Sequence, residues 1–216
     1  MSIQTIVDRA TFLSIDKRKV ASQSISRSGR LKTAEVAGAV PYRFIVGVHE
    51  GAKYSENRAV LEELDRLDVT VEEQIDIGDT NSGLSYITAY QGGIASGTLT
   101  LNSVANSNIY VNAASVTGSG TLFKKGDFLQ PAGNTNGYRY PYQVTSDVAF
   151  STSSNVTIPV HRPVISQDGV ALNTGNIKTG KDVHWFVKMI TKPSYTILPY
   201  DRFTLDNDLE LVEVIQ

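Results

Sequence analysis

The strongest alternation of apolar and polar positions lies at Asp182–Thr191, DVHWFVKMIT. Val183, Trp185, Val187 and Met189 fall on one side, and His184, Phe186, Lys188 and Ile190 on the other. Both sides carry bulky apolar residues, the pattern of a strand with neighbours on either edge. Val40–Val48 is a second clear strand. Tyr42, Phe44, Val46 and Val48 alternate with Arg43, Ile45 and Gly47, and Pro41 sits at the start, where no ladder donor is lost. Leu209–Ile215 alternates as cleanly, with Leu209, Leu211, Glu213 and Ile215 against Glu210, Val212 and Val214. Shorter runs at Ile3–Val7, Thr11–Ile15, Asp68–Ile77, Leu84–Tyr90 and Tyr195–Leu198 also read as strands.

One stretch has helical period. In Ser55–Leu67, SENRAVLEELDRL, the residues Val60, Leu61, Leu64 and Leu67 share a face. Ser55 reads as the N-cap, and Glu62 and Arg66 as an i,i+4 pair. A single amphipathic helix has to cover something, and the expected partner is one face of a sheet.

Two stretches have neither pattern. Arg18–Ser28 alternates without a strongly apolar side, so a strand there buries little. With the turn signal Ser28-Gly29 and a return strand over Arg30–Val36, it predicts a protruding hairpin arm or an edge. From Gly92 to Ile165, short apolar and Thr-rich runs alternate with Gly, Asn and Ser clusters. Strands are expected there at Thr98–Val104, Asn108–Val111, Lys125–Gln130, Tyr138–Val148 and Asn155–His161, with a hairpin loop at Gly133–Gly137. The expected fold is mainly β with one amphipathic helix. A β-sandwich or barrel, formed by residues 1–91 plus 166–216, carries an inserted small antiparallel β module at 92–165. The stretch Asn173–Gly180 reads as a polar loop.

Composition narrows the function little. With 216 residues, 41% of them hydrophobic, the chain is ordinary for a globular protein of one large or two small domains. The net charge of −2 gives no bulk pull toward nucleic acid or membrane. No apolar run approaches a membrane span, and the N-terminus lacks the apolar core of a secretion signal, as expected of a chain made in the cytoplasm. There is no cysteine, hence no disulfide or thiolate chemistry. The charge is uneven: Arg27, Arg30 and Lys32 belong to a basic N-terminal part, and Asp201–Glu213 is acidic. Basic and acidic surfaces of successive copies can meet head to tail.

Candidate chemistry is sparse. His49, His161 and His184 are scattered, with no metal-ligand spacing. Glu62-Glu63 and Glu72-Glu73 read as solvated charge, and Asp76–Asn81 as a turn rather than a calcium loop. No phosphate loop or nucleophile elbow is present. No cofactor, metal or catalytic residue is expected, and a hydrolase using Asp127 or Glu73 is disfavoured. Tyr138, Tyr140 and Tyr142 beside a polar hairpin suit a partner contact or, alternatively, sugar stacking.

Three stretches together resemble structural proteins of contractile bacteriophage tails. SRSGRLKT (Ser26–Thr33) followed by PYRFIVGV (Pro41–Val48) resembles the tail-tube fold, in which such a hairpin reaches a neighbouring subunit. YSENRAVLEELDRLD with GLSYITAYQGG is the second stretch. LFKKGDFLQP with YPYQVTSDV and VTIPVHRPVI is similar to β insertions in tail-tube initiator and baseplate-hub proteins, and the C-terminal PSYTILPYDRFTLDNDLELVEVI matches the closing strands of that group. A plain tube protein has no need of the insert, which favours an initiator ring at the baseplate end. A completion or terminator ring, or a carbohydrate-binding virion module, remains the alternative. The resemblance implies a homohexameric ring in the virion tail, built without enzyme activity or membrane contact. Ser22, Ser24, Ser26, Arg27, Arg30 and Lys32 would form the intersubunit arm. Tail-tube and baseplate hub or wedge proteins would be the partners, and nucleic acid would only pass through the channel.

Overall fold

The computed structural model describes residues 3–17, 21–25, 31–35, 40–47, 52–79, 83–132, 137–165 and 176–215. In chain order these form α1 (Gln4–Val7), β1 (Phe12–Asp16), β2 (Ala21–Ile25), β3 (Leu31–Glu35), β4 (Arg43–Gly47), α2 (Tyr54–Arg66) and β5 (Glu73–Ile75). Then follow β6 (Ile94–Ser96), β7 (Thr100–Ala105), β8 (Asn108–Asn112), β9 (Thr117–Gly118), β10 (Thr121–Phe123), β11 (Phe128–Pro131), β12 (Tyr142–Gln143), β13 (Val148–Ala149) and β14 (Val156–Pro159). The chain closes with β15 (Ile177–Thr179), β16 (Trp185–Thr191), β17 (Tyr195–Leu198), β18 (Arg202–Leu205) and β19 (Leu209–Glu213). The fold is mainly β, with several small antiparallel sheets.

The largest sheet has five strands in the order β1-β4-β19-β16-β5, all antiparallel. β16 lies between two neighbours, β19 and β5, as expected of a central strand. Tyr42, Phe44, Val46, Val187, Leu209 and Leu211 point to one face and are buried there. Leu64 and Leu67 of the α2 side complete that core, with Val60 partly buried against it, and Leu61 is buried on the same helix. α1 is a helix where a strand was expected. Ile3, Ile6, Val7 and Ala10 recur at helical spacing and all are buried, and the Ile3 N–H donates to Glu73 Oε2 at 2.6 Å.

A second buried cluster is built from the small sheets β14-β8-β7, β12-β11-β15, β10-β13 and β6-β9. Leu101, Ile109, Val111, Phe123, Leu129 and Ile158 lie at its centre. Residue 165 is not where the packing changes. Ile177–Thr179, expected within a polar loop, is β15, which pairs with β11 and sends Ile177 into the second cluster. Conversely, Phe128 leaves β11 for the first cluster and meets Trp185 edge-on at 5.5 Å between ring centres.

Other expected strands are shorter or absent. Asp68 accepts hydrogen bonds from the Thr70 N–H and hydroxyl, both at 2.8 Å, so this stretch opens with a turn and only Glu73–Ile75 pairs. Ser85–Ile87 is a 3₁₀ turn that sets Leu84 and Ile87 against the first core, an i,i+3 spacing. Between Tyr138 and Val148 only Tyr142–Gln143 and the start of β13 at Val148 are strand. The expected hairpin loop at 133–137 is spanned by an antiparallel bridge between Ala132 and Tyr138; residues 133–136 lie outside the described ones. Ile77–Asp79 is a 3₁₀ turn, and a Cβ on Gly78 would lie 2.3 Å from the Lys181 backbone, so the two segments touch only because residue 78 is glycine.

Candidate subunit interface

β1 and β4 are paired, and the chain between them forms a second ladder, β2 on β3, from Ala21 opposite Glu35 to Ile25 opposite Leu31. Each of these two strands packs on the other far more than on any other described element. Ser22, Ser24 and Lys32 belong to this ladder. Ser26, Arg27 and Arg30, and the turn Ser28-Gly29, lie outside the described residues, as do Val48 and His49.

The five-stranded sheet has a second face. Strand parity places Phe12, Ser14, Asp16, Arg43 and Ile45 there, along with Glu210, Val212, Phe186, Lys188 and Gln74. None of these side chains is buried, and Phe12, on the edge strand β1, is 45% exposed. Arg43 and Glu210 pair across β4 and β19. Asp16, Arg43, Lys188 and Glu210 give this face two acids and two bases. A broad open depression of about 870 Å³ runs over it, lined among others by Ser14, Asp16, Arg43, Ile45 and Glu210.

The hairpin β17–β18 presents Ile197 (56% exposed), Leu198 (38%) and Tyr200 (95%) to solvent. Tyr200 and Asp201 at its tip both have left-handed backbone, φ 64° and 60°. That tip caps α2. Asp201 Oδ1 accepts the Ser55 N–H at 2.9 Å, its Oδ2 the Ser55 hydroxyl at 2.5 Å, and its carbonyl the Tyr54 N–H at 3.0 Å. Ser55 is therefore not the N-cap. It lies inside the helix, which receives its cap from a distant turn. The Ser55 hydrogen bonds hold the Asp201 carboxyl below its usual range. Along the helix Glu62 pairs back to Arg58 at 3.8 Å, rather than in the expected direction.

Between the two clusters lies a polar seam that no sequence pattern pointed to. Arg162 is 1% exposed and grips Glu213 with both terminal nitrogens, at 2.5 and 2.7 Å. It also donates to the carbonyls of Val40 at 2.8 Å and Pro141 at 2.9 Å, and its guanidinium lies over the rings of Tyr42 and Tyr142, 5.0 and 5.2 Å from their centres. Burial opposes the charge on Arg162, but the Glu213 hydrogen bonds and charge outweigh it, so its pKa rises. Glu213 in turn accepts the Tyr42 N–H at 3.0 Å. Gln130, fully buried, bonds the His184 backbone in both directions, at 2.9 and 3.2 Å, as a neighbouring strand would. Arg139 bonds Glu72 at 2.6 Å.

The expected site residues fall apart on this map. Tyr140 and Tyr142 are core residues, 6% and 1% exposed, so they offer no partner contact: the alternation around Pro141 turns both rings inward. Tyr138 keeps some surface, but the Lys178 ammonium stands 4.4 Å over its ring. Asp127 is buried, and its two oxygens accept the backbone N–H groups of Gln91 and Lys124, both at 2.9 Å. Glu73 holds α1 as described. His184 Nε2 lies 2.9 Å from the Tyr138 carbonyl, and burial lowers its pKa. His161 Nδ1 accepts the Gln143 N–H at 3.1 Å; burial, then the Arg162 and Lys17 charges, push its pKa down to about 3. Among the described residues, no group of three or more His, Asp or Glu side chains is placed to hold a metal.

No protein-family model matches the chain, and no curated protein matches it in sequence.

Proposed function

We propose that the protein is a structural component of a phage tail, forming a homohexameric ring at the baseplate end that initiates or joins the tail tube. The sequence resemblance suggests the reading. The observation that carries it is the pairing of an arm, β2–β3, which among the described residues packs mainly on itself, with a sheet that bears α2 on one face. In the ring, the arm of one copy lies against the next, and the uncovered sheet faces of all copies turn to a common channel. Balanced charge on that face lets nucleic acid or protein pass without the counterion-release attraction of a basic lining. The module around the second cluster faces baseplate or sheath proteins.

The test is the double substitution Arg27→Glu with Arg30→Glu. The expected result is a folded monomer, shown by unchanged circular dichroism, that no longer forms rings. Rings that persist in this variant would remove the arm from the account. The carbohydrate-binding alternative has lost two of its three rings to the core, and the third is covered on one side by Lys178.

A further inference from the structure

Beside the seam, against the first core, lies a half-open cavity of about 270 Å³. Leu13 and Ile15 of β1, Ile87 of the 3₁₀ turn and Phe128 of β11 form its apolar walls. Its polar lining is Lys17, Tyr42 and Gln143. Tyr42 is 0% exposed, and its hydroxyl has no hydrogen-bond partner. His161 stands behind these residues, its ring centre 5.0 Å from that of Tyr42. Because its Nδ1 accepts the Gln143 N–H, the neutral ring carries its hydrogen on Nε2, and Nε2 is also buried without a partner. Buried polar groups left in this state cost stability, and such groups in native proteins call for a partner.

Two polar groups of the lining, a lysine ammonium and an unpartnered tyrosine hydroxyl, can both donate to an anion. We propose that this cavity binds a small carboxylate with a short apolar chain, its oxygens taken by Lys17 and Tyr42 and its chain by the aliphatic and Phe128 walls. A carboxylate offers only acceptors and takes up the donors of the Lys17 ammonium and the unpartnered Tyr42 hydroxyl. Its charge also suits Lys17, whose pKa burial lowers. A volume of about 270 Å³ suits a chain of several carbons. The proposal does not depend on the tail reading.

The chain has a single tryptophan, and Trp185 lies edge-on to both Tyr42 and Phe128, at 5.9 and 5.5 Å, so its fluorescence reports on the cavity. Titration of the full chain with hexanoate should give a saturable change in Trp185 emission at millimolar concentration or below, and hexan-1-ol should bind at least about tenfold more weakly. Tyr42→Phe, which keeps the ring, and Lys17→Met should each weaken hexanoate about tenfold or more. Absence of a saturable change, equal binding of the alcohol, or unchanged hexanoate affinity in both variants would overturn the proposal. Loss of fold in Lys17→Met leaves Tyr42→Phe to decide, and hydrogen–deuterium exchange at Leu13 and Ile15 gives a second readout on the unsubstituted chain. Protection that does not rise with hexanoate counts against the site.

Discussion

Arg162 and Glu213 show how much one residue pair can settle. Two charges removed from water are tolerated because the geometry is bidentate, two carbonyls take further donors and two tyrosine rings flank the cation. Arg162→Met strands the Glu213 carboxylate in an apolar seam, and we expect a loss of about 3–5 kcal/mol in urea unfolding. Adding Glu213→Leu should recover a large part of it, since no buried charge is then left unpaired. If the double variant is as damaged as the single one, the pair does more than satisfy itself. His161 makes a pH prediction. Its folded pKa of about 3 lies below the ordinary 6.5. The unfolded chain therefore binds the extra proton between these values, and the stability that neutral His161 contributes is full above 6.5 and is lost as pH falls toward 3. His161→Gln should flatten that part of the stability–pH curve relative to the parent chain; an unchanged slope would show the ring to be protonated in the fold.

At the scale of elements, α2 depends on a turn 146 residues further along the chain than the Ser55 it caps. Asp201→Ala should lower the thermal midpoint by a few degrees and raise amide exchange in the first turn of α2, while Ser55→Ala should do less, because the Tyr54 and Ser55 N–H contacts survive it. Greater damage from Ser55→Ala would return that residue to the capping role. The same helix shows where the sequence was legible. Val60, Leu61, Leu64 and Leu67 follow the 3.6 period, and the structure turns them inward. Strands with clean alternation, β4, β16 and β19, were equally readable, as was the register-bearing hairpin β2–β3. Period fails where segments are short: Ile3–Val7 fits both a strand and one helical turn, and only burial against Glu73 and the α2 side decides. The seam was not legible at all. Arg162 in HRPVI and Gln130 in FLQP look like surface residues, and their partners Glu213 and His184 are 51 and 54 positions away. Long-range polar pairing leaves no periodic trace in one sequence. The tyrosines misled for a related reason: three aromatics at alternate positions suit a surface, but Tyr140 and Tyr142 face a core that other strands supply.

At the scale of the molecule, two cores are joined by Phe128, by β15 on β11 and by the bonds of Arg162, Gln130 and Arg139. Coupling of this kind suits a part proposed to pass load between neighbours, and among the described residues it does not draw on β2–β3 or on the second face of the five-stranded sheet. The direct test is mass in solution together with particle imaging over a concentration series. The account predicts rings of about six copies with a central hole. A monomer at every concentration would contradict it.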